Sequence, residues 1–283
     1  MKASIRRILL PLDPSVYADA ATRTACAIAK THRAEIFAVA VLDSDEIRAC
    51  LIPAIGPYYP MMIEEVQNKI KHADQVLKDC LDRCSATCRE ADVAHRETEY
   101  EGIPAEKLMG SSIFYDLIVT GLRNSFHFET RGTRIEPLDE LLDHTATPVL
   151  AVPADGMPKL ERVLIGFDGS LGSARALHDF ISFAAPYQPE IIIVTAENDQ
   201  TRADFLTGNA ELLLRDHGFE NVQRHIGKEP VADVFDQLLV PGMPHVDLIV
   251  LGIHSGSLIK DFFVGSFTKR MIKRGDIPLF LSH

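Results

Sequence analysis

Short, almost wholly apolar runs recur along the chain, separated by longer segments in which apolar residues return every three or four positions. Residues 5–12, 36–42, 116–120 and 149–152 read as strands, and 15–30, 63–89 and 138–144 as helices. Strands that are apolar throughout, rather than at alternate positions, belong to a sheet covered on both faces. Their alternation with helices predicts an α/β fold built on doubly wound parallel sheets.

The pattern is then written a second time. Ile8-Leu9-Leu10-Pro11-Leu12-Asp13-Pro14-Ser15 lines up with Val163-Leu164-Ile165-Gly166-Phe167-Asp168-Gly169-Ser170, and Glu35-Ile36-Phe37 with Glu190-Ile191-Ile192. These pairs lie about 155 positions apart. Glu101-Gly102-Ile103-Pro104 corresponds loosely to Ile226-Gly227-Lys228-Glu229-Pro230, and Asp116-Leu117-Ile118-Val119-Thr120-Gly121 closely to Asp247-Leu248-Ile249-Val250-Leu251-Gly252. Thr147-Pro148-Val149-Leu150-Ala151-Val152 matches Ile277-Pro278-Leu279-Phe280-Leu281. By then the offset is about 130, so the first copy holds an extra segment of about 25 residues, mostly within 45–62. Two tandem domains follow, 1–153 and 159–283, each with a five-stranded sheet. Between them lies the Pro- and Gly-rich linker Pro153-Ala154-Asp155-Gly156-Met157-Pro158.

Composition narrows the function. A formal net charge of −11 argues against a general nucleic-acid binder, which needs a basic face. No apolar stretch approaches the roughly 18 residues of a membrane span, and the basic start of the chain runs into Pro11 and Asp13, unlike a secretory signal. Five cysteines make a poor disulfide framework. The expectation is a cytoplasmic protein.

The candidate chemistry lies after residue 251. Gly252-Ile253-His254-Ser255-Gly256 leaves a strand, and nine residues separate Ser255 from Gly265-Ser266. A helical pattern covers 267–273. Glycines let backbone N–H groups approach a ligand. The first turn of a helix offers unpaired donors and a positive dipole end. In a doubly wound sheet the ligand sits at the carboxyl ends of the strands, where Asp168 also emerges. A carboxylate there suits ribose hydroxyls or a base amino group better than phosphate.

Asp168-Gly169-Ser170 together with Gly252-x-x-Ser255-x9-Gly265-Ser266 is similar to the ATP-binding class of universal stress proteins, whose pattern is G-x2-G-x9-G-[ST]. Ser255 stands where that pattern has its second glycine, with Gly256 one place later. The resemblance spans nearly the whole chain, as two family domains in tandem with Rossmann-like sheets. It implies ATP or ADP, with Mg2+, in the second domain. Gly166, Asp168 and Ala196 would line base and ribose, and Leu251, Gly252, Ser255, Gly265, Ser266 and Phe267 the phosphates; His254 and Gly256 lie within the loop. It also implies self-association through the last strand of each domain, 148–152 and 278–282, as an internal pseudo-dimer, with a homodimer of the whole chain beyond it. The first copy keeps Asp13, but Gly121 is followed by Leu122-Arg123-Asn124, and the place of Gly265-Ser266 falls at about Ile135-Glu136, next to Pro137. No ATP is expected there.

No G-x4-G-K-[ST] loop, G-x-S-x-G elbow, H-x-G-H or S-G-G-x-D-S motif occurs. Dedicated catalysis is therefore not expected, beyond slow ATP hydrolysis. The leading function is a nucleotide-responsive stress or signalling module. Two alternatives are a non-binding stress protein acting through protein contacts and a weak hydrolase of a small metabolite held by the first domain.

Four remaining features read as structure. Cys80, Cys84 and Cys88 fall on one apolar helical stripe and read as core. His127-Phe128-Glu129 reads as a surface loop rather than a metal site. The basic residues Lys269, Arg270, Lys273 and Arg274 read as a solvated face paired with nearby acids. The apolar insert reads equally as a lid or a subunit contact.

Overall fold

The structure is a computed structural model that describes residues 5–49, 59–126, 128, 138, 141–142, 145–157, 159–253 and 265–283. The first half runs β1 (Arg7–Leu12), α1 (Val16–His32), β2 (Glu35–Leu42), α2 (Ser44–Ala49), α3 (Tyr59–Glu90), β3 (His95–Glu101), α4 (Pro104–Ser112), β4 (Leu117–Gly121) and β5 (Val149–Val152). The second half runs β6 (Arg162–Gly166), α5 (Leu171–Ala184), β7 (Glu190–Ala196), α6 (Gln200–Asp216), β8 (Val222–Gly227), α7 (Val231–Leu238), β9 (Leu248–Gly252), α8 (Ser266–Arg274) and β10 (Leu279–Ser282).

The strands lie in the order β3-β2-β1-β4-β5-β10-β9-β6-β7-β8. Neighbours within each half are parallel, with Arg7 opposite Glu35 and Arg162 opposite Glu190. The exception is the central pair. β5 and β10 run antiparallel, setting Ala151 against Leu279 and Leu150 against Phe280. Each half thus has the expected five strands, and their last strands join the two sheets into one of ten. The antiparallel seam also rotates the second half by half a turn in the plane of the sheet, so the carboxyl ends of the two parallel sets point to opposite edges.

The inner strands β1, β4, β6 and β9 are apolar because helices cover both faces. One core cluster packs α1, α3, α5 and α6 on one face, and another packs α4, α7 and α8 on the opposite face. The outermost strands differ. β3 (HRETEYE) is mostly exposed and β8 partly so. Charged residues on such an edge discourage pairing with other chains.

Helix boundaries shift modestly from the sequence pattern. α1 continues to His32, where Arg33 turns into the left-handed conformation with φ 57° and ends it. α3 starts at Tyr59, four residues earlier than the pattern suggests. Part of the insert is the short helix α2; residues 50–58 lie outside the described residues. So do most of 138–144, His127, Glu129 and the Ile135-Glu136-Pro137 stretch. Cys26, Cys80, Cys84 and Cys88 are all buried between α1 and α3, as the apolar stripe predicts. On α8, Arg270 pairs with Asp236 and Arg274 with Asp276.

Candidate functional site

Beyond the carboxyl ends of β6, β7 and β9 the second half opens into a cavity of about 860 Å³. Eight sequence-predicted positions line it: Gly166, Asp168, Ala196, Leu251, Gly252, Gly265, Ser266 and Phe267. They come from four separate elements and the turns beside them. The other three predicted positions, His254, Ser255 and Gly256, lie outside the described residues.

Each position has a local reason. β6 ends at Gly166, where a Cβ would come within 2.9 Å of the Leu251 side chain and 3.4 Å of the Phe235 ring. The chain then turns through Gly169, with φ +76°, a conformation that favours glycine. This turn leaves Asp168 exposed at the cavity, one carboxylate oxygen accepting the Ser170 N–H at 2.9 Å. The Thr195 hydroxyl donates to the Phe167 carbonyl at 2.5 Å and ties the turn to β7. The Phe267 ring packs on Phe235 with centroids 4.8 Å apart, fixing the start of α8 against α7.

Gly252 lines the cavity, and its missing side chain also serves packing. A Cβ there would fall 2.3 Å from the Gly172 carbonyl carbon and the Ser173 nitrogen, in the first turn of α5. Gly172 shows the reciprocal constraint, 2.6 Å from the Ile253 oxygen. The two glycines let the end of β9 cross the start of α5 at backbone contact. Gly265 is different: among the described residues its Cβ position has no neighbour within 4 Å.

Three helix N-termini reach the cavity. α5 is capped by the Ser170 hydroxyl, which accepts the Ser173 N–H at 3.2 Å. α7, entered through Pro230, and α8, entered through Gly265, have no side-chain cap. With no side-chain cap, the positive dipole ends of both helices lie at the cavity, an arrangement that favours an anion. The charged residues among the described lining are Asp168, Lys228 and Glu229.

Sequence reasoning missed the β8 side of the cavity, with Lys228, Glu229, Pro230 and Val231, as well as Asn198 and Ser173. The repeat held the signal for the first group. Ile226-Gly227-Lys228-Glu229-Pro230 corresponds to a strand end in the first copy, and strand ends of one parallel sheet open into one crevice.

In the first half the same position is closed. Asp13 corresponds to Asp168, yet it is only 2% exposed. It accepts the Ser15 N–H at 3.3 Å, the Ser15 hydroxyl at 2.7 Å and a short bond from the Ser125 N–H, which arrives from beyond β4. Leu122 and Phe126 are buried behind that contact. These bonds favour the ionised carboxyl, but burial outweighs them and pushes the Asp13 carboxyl above its ordinary value.

No helix among the described residues is long and apolar enough to cross a membrane, and no group of three His, Cys, Asp or Glu among them is placed to hold a metal ion.

Comparison with known proteins agrees with this architecture. Universal stress protein Slr1230 of Synechocystis is 25% identical over 168 residues, which span 58% of this chain and 57% of the length of that relative. The solved structure of a universal stress protein from Archaeoglobus fulgidus superposes with a TM-score of 0.70 at 18% identity, covering 98% of this chain and 97% of the other. A universal stress protein structure from Pseudomonas aeruginosa gives 0.60 at 11% identity, covering 99% and 94%. At these identities the two structures speak to the fold. The model of the universal stress protein family matches residues 4–153, more than half of the sequence, and the chain belongs to that family.

Proposed function

We propose that the second half binds an adenine nucleotide, ATP or ADP, and that the protein acts as a nucleotide-responsive stress or signalling module. The observation that carries this reading is the single cavity in which Asp168, Gly265 and the uncapped starts of α7 and α8 converge. Asp168 suits ribose hydroxyls, and the helix starts suit phosphates. The apolar wall of Val194, Ala196 and Leu251 suits the flat face of a base. Mg2+ would arrive with the nucleotide, held chiefly by phosphate oxygens as is usual for this ion. The closed position of Asp13 supports assigning the nucleotide to the second half.

The test is direct. Purified protein is denatured without added ligand and the supernatant assayed for adenine nucleotide; ATP and ADP are then titrated into ligand-free protein by calorimetry. Gly265→Glu is the informative variant, because no described atom lies within 4 Å of the Gly265 Cβ position and the added carboxylate repels phosphate. Wild type is expected to bind, and Gly265→Glu to bind at least about tenfold more weakly, roughly 1.4 kcal/mol. Failure of the wild type to bind either nucleotide at millimolar concentration overturns the reading.

A further inference from the structure

The seam between the halves contains a buried histidine with no stated task. His32, the last residue of α1, is 0% exposed. Neither ring nitrogen makes a well-formed hydrogen bond to a described residue, although the Phe183 backbone lies beside the ring. The imidazole lies nearly parallel to the Phe183 ring of α5, with centroids 5.9 Å apart and planes 13° apart, and 5.7 Å from the Tyr187 ring just beyond that helix. Phe183 stacks in turn on Phe280 of β10, 5.3 Å away. A side chain of the first half therefore fills an aromatic slot made by the second, beside the strand that holds the halves together. Buried polar atoms are nearly always partnered, so an imidazole with neither nitrogen in a well-formed hydrogen bond calls for an explanation.

We propose that His32 is a proton-operated latch between the two halves. Neutral, it closes the seam by stacking on Phe183 and packing at a tilt against Tyr187; protonated, the imidazolium leaves this slot and the end of α1 separates from α5. The slot's support for a cation comes from the faces of two rings and the Phe183 backbone, and burial opposes it. The titratable group facing the ring is the Tyr187 phenol, which its own burial keeps protonated. On α1, Lys30 and Arg33 flank His32 in the chain and are exposed, and both would repel an imidazolium. No carboxylate acts on the ring. The Phe183 backbone favours the protonated form, but burial outweighs it and holds the imidazole below its ordinary value. The sign follows from linkage. An opened His32 takes up a proton near its ordinary value of 6.5, whereas the closed one stays neutral. The closed seam is at full strength above that pH and weakens as pH falls below it, about tenfold for each unit by which burial depresses the native value.

The experiment uses the full chain. Hydrogen–deuterium exchange at pH 7.5 and 5.0, corrected for intrinsic rates, is read in peptides covering the ends of α1 and α5. His32→Phe keeps the stacked ring and cannot titrate. Wild-type protection in these two segments is expected to fall at least about tenfold more than that of His32→Phe. Equal losses in the two proteins overturn the latch. A second measurement on the wild type alone covers a variant that fails to fold. The His32 ring resonance, identified by its contacts to the Phe183 and Tyr187 rings, should titrate with a midpoint below the ordinary 6.5. A midpoint at or above 6.5 overturns the proposal.

Discussion

Two glycines that look alike in the sequence do different work. In the family pattern both Gly252 and Gly265 belong to one phosphate cradle. In the structure, a Cβ on Gly252 would lie 2.3 Å from two backbone atoms of the first turn of α5, which cannot rotate away, while a Cβ on Gly265 has nothing within 4 Å among the described residues. Gly252→Ala must therefore displace either the end of β9 or the start of α5. It is expected to destabilise the fold by about 1–3 kcal/mol, the range for forced overpacking. Nucleotide affinity should fall as well, because the α5 turn carries Ser170 and Ser173 to the cavity. Gly265→Ala also replaces a permissive helix N-cap, so its cost should stay within about 1 kcal/mol. Urea midpoints at unchanged slope would check the order; Gly265→Ala proving the more damaging would remove the packing argument.

At the scale of elements, the same strand-to-helix turn is open in one half and sealed in the other. The seal at Asp13 predicts a pH dependence. Its carboxyl is held above the ordinary 3.8 by burial, so between that value and the native one the folded state carries more protons than the unfolded. Stability from this group is fully present below 3.8 and declines as pH rises through the native value. Relative to Asp13→Asn, wild type should be most stable at the acid end and lose that advantage toward neutral pH. Urea midpoints across pH 3.5–8 measure the difference, and a flat difference would refute the assignment. None of this was legible in the sequence, which shows Asp13 but not that the Ser125 N–H returns from 112 residues away to cover it. The inner strands were legible because helices on both faces leave no position for polar residues. β3 and β8 were harder to read: at the edges of the sheet their solvent-facing positions take polar side chains, and HRETEYE carries no continuous apolar run. Glycine spacing and strand context marked Gly252 and Gly265, which line the cavity, whereas Asn198 reaches it only through the folded sheet.

At the scale of the molecule, ten strands form one sheet because each half would otherwise end in an unprotected edge. All four residues of β5 and all four of β10 are buried, and the seam is three residue pairs long. Phe280 sits at its centre, opposite Leu150 and in ring contact with Phe180 and Phe183. Separating the chain after residue 157 into two polypeptides would expose these apolar edges with their unpaired N–H and C=O groups, a template for pairing with another strand. The two halves expressed separately are therefore expected to be other than monomeric. Each should pair its last strand antiparallel with a second copy of itself or aggregate, and mixing the two should draw both into a heterodimer, because only the mixed pair restores the stacking of His32 on Phe183. Light scattering coupled to size exclusion distinguishes these outcomes. Monodisperse monomers of either half at micromolar concentration would mean that the edge is covered by something other than its partner strand, and that burial at the seam does not hold the two copies together.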